Sequence, residues 1–270
     1  MRTLASDGRP RVADLHEAYD RLEQAGWAKT QVAEQVLASG AVLPICAYTS
    51  GPQAGRVVIA GIHGREPAGA IALAQYVDRL IQLGATRSIL LLPLLNPWGY
   101  HRHQRYGPSG QSVSDSDHWL GRAAEAACPE AKAITAYVME QVDLAPCAAV
   151  LDLHEDPVYE APGYHFEGRG SYLYATGTGA ASHPVTRRVA AYLGNSPIPL
   201  VMNGVTRFGE TLNQGMIVDS EDGSIDELLA RKRGCTPVIT TELVLKEESD
   251  PHLAVRVAVY LGLLDVFFED

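Results

Sequence analysis

The stretch Arg56-Val-Val-Ile-Ala-Gly-Ile-His63-Gly-Arg-Glu66-Pro67 constrains this chain more than any other. Residues 56–62 are small or β-branched, as a strand covered on both faces should be. Pro67 suits the first position of a helix, where its missing N–H is not needed. Beyond it Ala70, Ile71, Leu73, Ala74, Val77, Leu80 and Ile81 recur at helical spacing. His63 and Glu66 therefore stand where a strand hands over to a helix. In open α/β sheets that is where ligands bind, outside the carboxyl ends of strands. An imidazole and a carboxylate three residues apart can hold two corners of a zinc tetrahedron. A single His-x-x-Glu pair carries little weight by itself, and the rest of the chain has to decide its meaning.

Two further apolar runs end in the same kind of residue. Residues 148–153 run into His154-Glu-Asp156, and residues 237–241 run into Glu242. If these strands are mostly parallel, their carboxyl ends share one edge of a sheet. His63, Glu66 and His154 can then converge on one metal, with Glu242 facing it. Two histidines and one carboxylate with an open fourth position form a catalytic pattern for zinc. Zinc lowers the pKa of its water towards 7 and polarises a carbonyl. An unligated Glu nearby can take the water's proton and pass it to a leaving amine.

Several function classes are excluded. The net charge of −10 and pI near 5.4 argue against nucleic acid and against an anionic membrane surface as partners. The sequence contains no apolar run long enough for a membrane span, and its first ten residues lack a signal-peptide core. Cys46, Cys128, Cys147 and Cys235 show no pairing pattern, which suits reduced thiols and a cytoplasmic location. There is no Gly-x-Ser-x-Gly elbow for a serine hydrolase and no glycine-rich phosphate loop.

The remaining segments read as follows. Residues 11–38 are expected to be a helical pair or one broken helix, with Gly26 as the stop, from Leu15, Tyr19 and Leu22 and then Val32 and Val36. Val42–Tyr48 reads as a strand, and the turn-rich Ser50–Gly55 suggests a hairpin with 56–62. Residues 87–95, 129–142, 183–193 and 252–268 read as a strand and three helices. Residues 100–122 are polar and irregular, as a functional loop would be. Residues 157–183 and 195–224 are turn-rich, with short or edge strands. The expected organisation is one α/β domain over 1–270, with residues 1–40 as a helical extension packed on it.

The ordered set His63-Gly-Arg-Glu66, Asn96-Pro-Trp-Gly99, Arg105, Asp152-Leu-His154 and Thr241-Glu242-Leu243 resembles the zinc carboxypeptidase clan, including its aspartoacylase and succinylglutamate desuccinylase branch. The likeness spans roughly residues 42–268. It implies a central mixed, mostly parallel sheet of about eight strands flanked by helices. It also implies one Zn(2+) per chain and hydrolysis of an amide bond in a small peptide or an N-acyl amino acid. By this resemblance His63, Glu66 and His154 are zinc ligands, Glu242 is the general base and Arg105 polarises the scissile carbonyl, with Arg102 as the alternative. Asn96, Arg102, Ser114 and Asp115 are the corresponding substrate-binding candidates. The clan's Asn-Arg carboxylate clamp has no counterpart: Asp115 stands at the arginine position, and an acid repels a carboxylate. A positive or amidated group on the leaving side would suit it; pairing of Asp115 with Arg102 or Arg122 is the other outcome.

Other readings stay open here. His101, His103 and His118 form either a second metal group or a surface loop. Glu155 or Asp156 either orients the imidazole of His154 or belongs to an exposed acidic turn, and Asp152 lies on a side of its strand where it could give the same support. Tyr159, Tyr164, Tyr172 and Tyr174 either line a pocket or pack. Function divides between a peptidase, preferred for Gly99-Tyr100 and Thr241-Glu242-Leu243, an N-acyl amino acid deacylase, and a zinc-binding or metal-free relative without turnover.

Overall fold

The structure is a computed structural model. It describes all residues except 1–7, 52–54, 112–127, 144–146, 162–169, 219, 221–222, 248–250 and 270. In chain order the elements are α1 (Val12–Gln24), β1 (Ala28–Val36), β2 (Val42–Thr49), β3 (Arg56–Ala60), α2 (Pro67–Gln75), α3 (Val77–Gly84), β4 (Ile89–Leu92) and α4 (Pro97–Arg102). There follow α5 (Pro129–Asp143), β5 (Ala149–Pro157), β6 (Ser171–Thr176), α6 (Pro184–Gly194), β7 (Asn203–Val205), β8 (Thr211–Asn213), β9 (Met216–Val218), α7 (Ile225–Arg233), β10 (Val238–Leu245) and α8 (Leu253–Phe268).

The strands form one mixed sheet in the order β1-β2-β4-β3-β5-β10-β6-β9-β8-β7. Its centre, β4-β3-β5-β10, is parallel, as the apolar strands ending in His and Glu require. The sheet departs from expectation in two respects. It has ten strands, because residues 203–218 add three short strands at one edge. Five of the nine neighbouring pairings are antiparallel and four parallel, so it is not mostly parallel.

Side-chain alternation along the strands builds two cores. Val58, Leu91, Leu151, Leu153 and Ile239 face α1, α2, α3, α6 and α8. Val57, Ile59, Leu90, Leu92 and Val150 face α5 and α7. Helix α2 lies deepest. Every residue from Pro67 to Ala74 is buried, and a Cβ at Gly69 would lie 2.8 Å from the Leu153 Cβ, so only glycine allows that approach to β5.

Two local expectations are corrected. Residues 28–36 form a strand, not a second helix. Val32 and Val36 are four apart, which fits either period, and pairing with β2 across eight residue pairs decides for the strand. Strands β2 and β3 are not a hairpin, since β4 lies between them. The connection must span two strand spacings, roughly 10 Å, which six residues cover easily. Helix α7 was not anticipated, although Ser224-Ile-Asp-Glu227 has the capping-box pattern and Gly234 ends the helix in the left-handed region.

Candidate metal centre and catalytic pocket

The metal-binding candidates are set by two strand ends. Strand β3 stops at Ala60, Gly61 turns the chain with φ +69°, and Glu66 is the residue on which α2 begins. His154 comes from β5, the neighbour of β3. The Nδ1 atoms of His63 and His154 both approach the Glu66 carboxylate, at 2.8 Å and 2.9 Å. One donor atom from each of the three side chains lies within 4.8 Å of the others. Donors around a tetrahedral zinc stand roughly 3.5 Å apart, so small rotations would let these three share one ion. Two imidazoles and a carboxylate are a suitable donor set for zinc. His63 Nδ1 is buried and has no hydrogen bond of good geometry among the described residues. The residues present fit a metal.

Strand register places the remaining groups. His154 pairs with Glu242 on β10, which pairs with Tyr172 on β6. Two residues earlier the row is Asp152, Thr240 and Tyr174. Registered residues on neighbouring strands share a face, so both rows look towards α7. All of these but Tyr172 line a cavity of about 330 Å³ that also takes in His63, Arg105 and Tyr106. Asp152 Oδ1 lies 3.3 Å from His154 Nε2 and orients that ring from behind.

Glu155 and Asp156 are not an exposed turn, nor do they orient the imidazole. Both are buried. The Glu155 side chain points to the opposite face, where it accepts from Ala68 N at 2.9 Å and from Arg256. Its backbone N–H donates to Glu66 at 3.2 Å. Asp156 accepts from Tyr172 and pairs with Arg207 at 2.8 Å.

Arg105 lines the cavity, while Arg102 is exposed and does not. The Arg105 guanidinium donates to Glu66 at 2.6 Å. Asn96 is 0% exposed; it accepts from Gly99 N at 2.9 Å and donates to Arg105 O at 3.1 Å. It therefore braces the segment that carries Arg105, and it does not line the cavity. Ser114, Asp115 and His118 lie outside the described residues, as do Tyr164 and Arg122. Among the described residues no second group of three metal-ligating side chains gathers near His101 and His103.

Sequence reasoning missed Arg9. It is 2% exposed and donates to Gly64 O at 3.2 Å and Tyr100 O at 3.1 Å, contacts His103, and stacks over the Tyr100 ring. It ties the turn bearing His63 and Glu66 to the segment bearing Arg105. No local signal marks an arginine at that distance along the chain. Thr240 was also missed, although it precedes Glu242 by two residues and so shares its face.

The charges are strongly coupled. Burial pushes His63 down to about 4, against the pull of Glu66. Burial alone would raise Glu66, but His63, Arg105 and His154 hold it well below the ordinary range. Burial opposes a proton on His154, yet Asp152 and Glu66 raise it well above its ordinary value. A metal needs the neutral imidazole, so it competes with that proton. Burial drives Glu242 well above the carboxylate range, with Glu66 and Asp156 adding to the effect of removing water.

The model of the succinylglutamate desuccinylase/aspartoacylase catalytic domain matches residues 53–159, which include His63, Glu66, Arg105 and His154. Over this segment the chain is similar to that family. The fold agrees. A Shewanella baltica protein provisionally named a metallopeptidase superposes with a TM-score of 0.77 at 19% identity, over 95% of this chain and 91% of that one. A metallo-carboxypeptidase from Burkholderia cenocepacia gives 0.54 at 17% identity, over 94% and 67%. An aspartoacylase family protein from Mesorhizobium loti gives 0.53 at 16% identity, over 91% and 67%. No curated protein sequence matches.

Proposed function

We propose that this zinc carboxypeptidase-like protein is a zinc-dependent amide hydrolase acting on a short peptide or an N-acyl amino acid. One observation carries the reading: His63 and His154, gathered with Glu66, line one cavity with an unligated carboxylate, Glu242, which is registered beside His154. A protein that only bound metal would have no use for that carboxylate. His63, Glu66 and His154 would hold one zinc per chain. Bound there, zinc would supply a water of lowered pKa and polarisation of the scissile carbonyl.

The chain's own residues account for the rest. Glu242 takes a proton from the attacking water as the new C–O bond forms, then delivers it to the nitrogen as the C–N bond breaks. Burial keeps its carboxyl basic enough to accept that proton. Arg105 keeps N–H groups beyond the one given to Glu66, and it lines the cavity where a carbonyl oxygen would develop charge. Asp152 and Asn96 position His154 and Arg105.

A deacylase is favoured over a peptidase by one finding, the match to the desuccinylase/aspartoacylase domain. The strand-borne Thr241-Glu242-Leu243 and Gly99-Tyr100 favour the peptidase. The reading takes 1–270 as one domain, since β1 is an edge strand of the common sheet. Among the described residues no helix is long and apolar enough to cross a membrane. The four cysteines are free and buried, which supports a reducing, cytoplasmic setting.

The test joins metal analysis to a substrate screen. Purified protein should hold about one zinc per chain, and His154→Ala should lose it. The zinc-loaded wild type should hydrolyse members of a panel of acyl amino acids and short peptides with varied C-termini. Unchanged zinc content in His154→Ala would refute the ligand set. Zinc binding with no turnover across the panel would favour a non-catalytic relative.

A further inference from the structure

Behind the sheet, the two elements that carry Glu66 and His154 share an anchor that the proposed chemistry does not use. His154 lines the cavity, so its neighbour Glu155 points to the other face, towards α2 and α8. There one Glu155 oxygen accepts from Ala68 N at 2.9 Å, in the first turn of α2. The other accepts from the Arg256 guanidinium of α8. One helical turn beyond Arg256, Tyr260 donates its hydroxyl to the His154 carbonyl. The Glu155 N–H in turn donates to Glu66 at 3.2 Å. Glu66 and His154 come from different elements, and both are referred to the same two side chains of α8.

Stability does not explain this arrangement. Arg256 is the one charged residue on the buried face of α8. It is 4% exposed and Glu155 is 1% exposed. A buried ion pair gives up hydration that its attraction barely recovers, and apolar residues of similar volume often hold a fold as well or better. Arg256 Nε adds a buried N–H with no acceptor among the described residues. What the pair does fix is position. A carboxylate held at once by a helix N–H and a guanidinium cannot shift against α2 or α8 without breaking a charged hydrogen bond.

We propose that Arg256 and Tyr260 are positioning residues for the metal ligands. Through Glu155 and the His154 carbonyl they set where Glu66 stands relative to His154, and with it the affinity of the site for a divalent ion. This role rests on the metal-site part of the proposed function and not on turnover.

Three measurements are made together: zinc affinity against a chelator, the visible spectrum of the Co(II)-loaded protein, and urea unfolding. Glu155→Gln/Arg256→Met removes both charges, while the glutamine carbonyl can still accept from Ala68 N. Zinc affinity should fall about tenfold to a hundredfold, the usual effect of removing a group that orients a ligand, and the Co(II) spectrum should change shape. Arg256→Lys keeps a cation for Glu155 and should stay closer to wild type in both. Tyr260→Phe removes one hydroxyl and should shift both in the same direction, so it carries the test if the double variant folds poorly. Leu263→Ala is the control. It opens a cavity on the buried face of α8, so stability should fall while metal affinity and spectrum stay as in wild type. Wild-type affinity and spectrum in the double variant and in Tyr260→Phe would overturn the positioning role. An equal loss of affinity in Leu263→Ala would also overturn it, leaving α8 as a structural support only. If His154→Ala binds zinc like wild type, the ligand set fails and the positioning role falls with it. If the affinities respond as expected while no substrate is hydrolysed, the positioning role stands and the hydrolase reading fails.

Discussion

Gly64 sits between His63 and Glu66 with no space for a side chain. A Cβ added there would lie 1.9 Å from the carbonyl carbon of Gly99, 2.3 Å from Tyr100 N and 2.4 Å from Gln104 O. All three are backbone atoms, so none can swing aside. Ordinary carbon contacts begin near 3.5 Å, so the turn must withdraw by on the order of 1.5 Å. Withdrawal breaks the bond from Gly64 N to Arg105 O at 3.0 Å and the bond from Arg9 to Gly64 O. Each is worth about 1 kcal/mol, and overpacking adds roughly 1–3 kcal/mol. Gly64→Ala should therefore cost about 3–5 kcal/mol in urea unfolding. The same movement carries His63 and Glu66 away from His154, so zinc affinity measured against a chelator should fall about tenfold to a hundredfold. Gly194→Ala is the control. It ends α6 with nothing within 4 Å of the new methyl, and stability should stay within about 1 kcal/mol with zinc affinity unchanged. If Gly64→Ala unfolds within 1 kcal/mol of wild type and binds zinc as tightly, the close packing of the two segments is not what holds the ligands.

Three further outcomes are expected. Glu242→Gln should keep its zinc and lose about 10²–10⁴ of turnover, and loss of metal instead would make Glu242 a ligand. Arg9→Met removes the charge and both donors while keeping much of the stem. Zinc affinity should fall together with stability, whereas a stability loss alone would limit Arg9 to a packing role. His16 is held below its ordinary pKa by burial. Its neutral form is the one that folds, so its contribution is full above about pH 6.5 and fades as the pH drops below that. From pH 7 to 5, His16→Gln should therefore lose less stability than wild type; parallel stability profiles would refute the shift.

The metal end of the site was legible because each of its residues sits at a strand end next to its own signal. His63 follows an apolar run, Pro67 marks the helix start after Glu66, and His154 and Glu242 close two further apolar runs. Their convergence needed only parallel neighbours, and β3, β5 and β10 are neighbours. Strand β1 was not legible. It is an edge strand with mostly exposed side chains, and Gln35 is its one buried residue. Local periodicity therefore had little to register, and the partner β2 decided its form. The hairpin reading of β2 and β3 failed for a related reason. A turn signal fixes where the chain bends, not which strand inserts between the arms.

The far end of the pocket, lined by Glu210 and Asp226, was harder to read because no segment of the sequence contains it. Glu210 follows β7, and Asp226 lies in the first turn of α7. The two meet the metal end only through Tyr174 and Thr240, which share one row of the sheet with Asp152. Strand β10 is the common support. Its register sets Glu242 beside His154 and, one row back, Thr240 beside Asp152. A one-residue slip in β10 would turn both side chains away from the cavity at once. The two ends of the cavity are thus held in place by the same ladder of backbone hydrogen bonds. The metal end depends on His63, Glu66, His154 and Glu242, each carried at a strand end. The far end depends on which side chains the loops bring to Thr240 and Tyr174, and those can change without disturbing the metal.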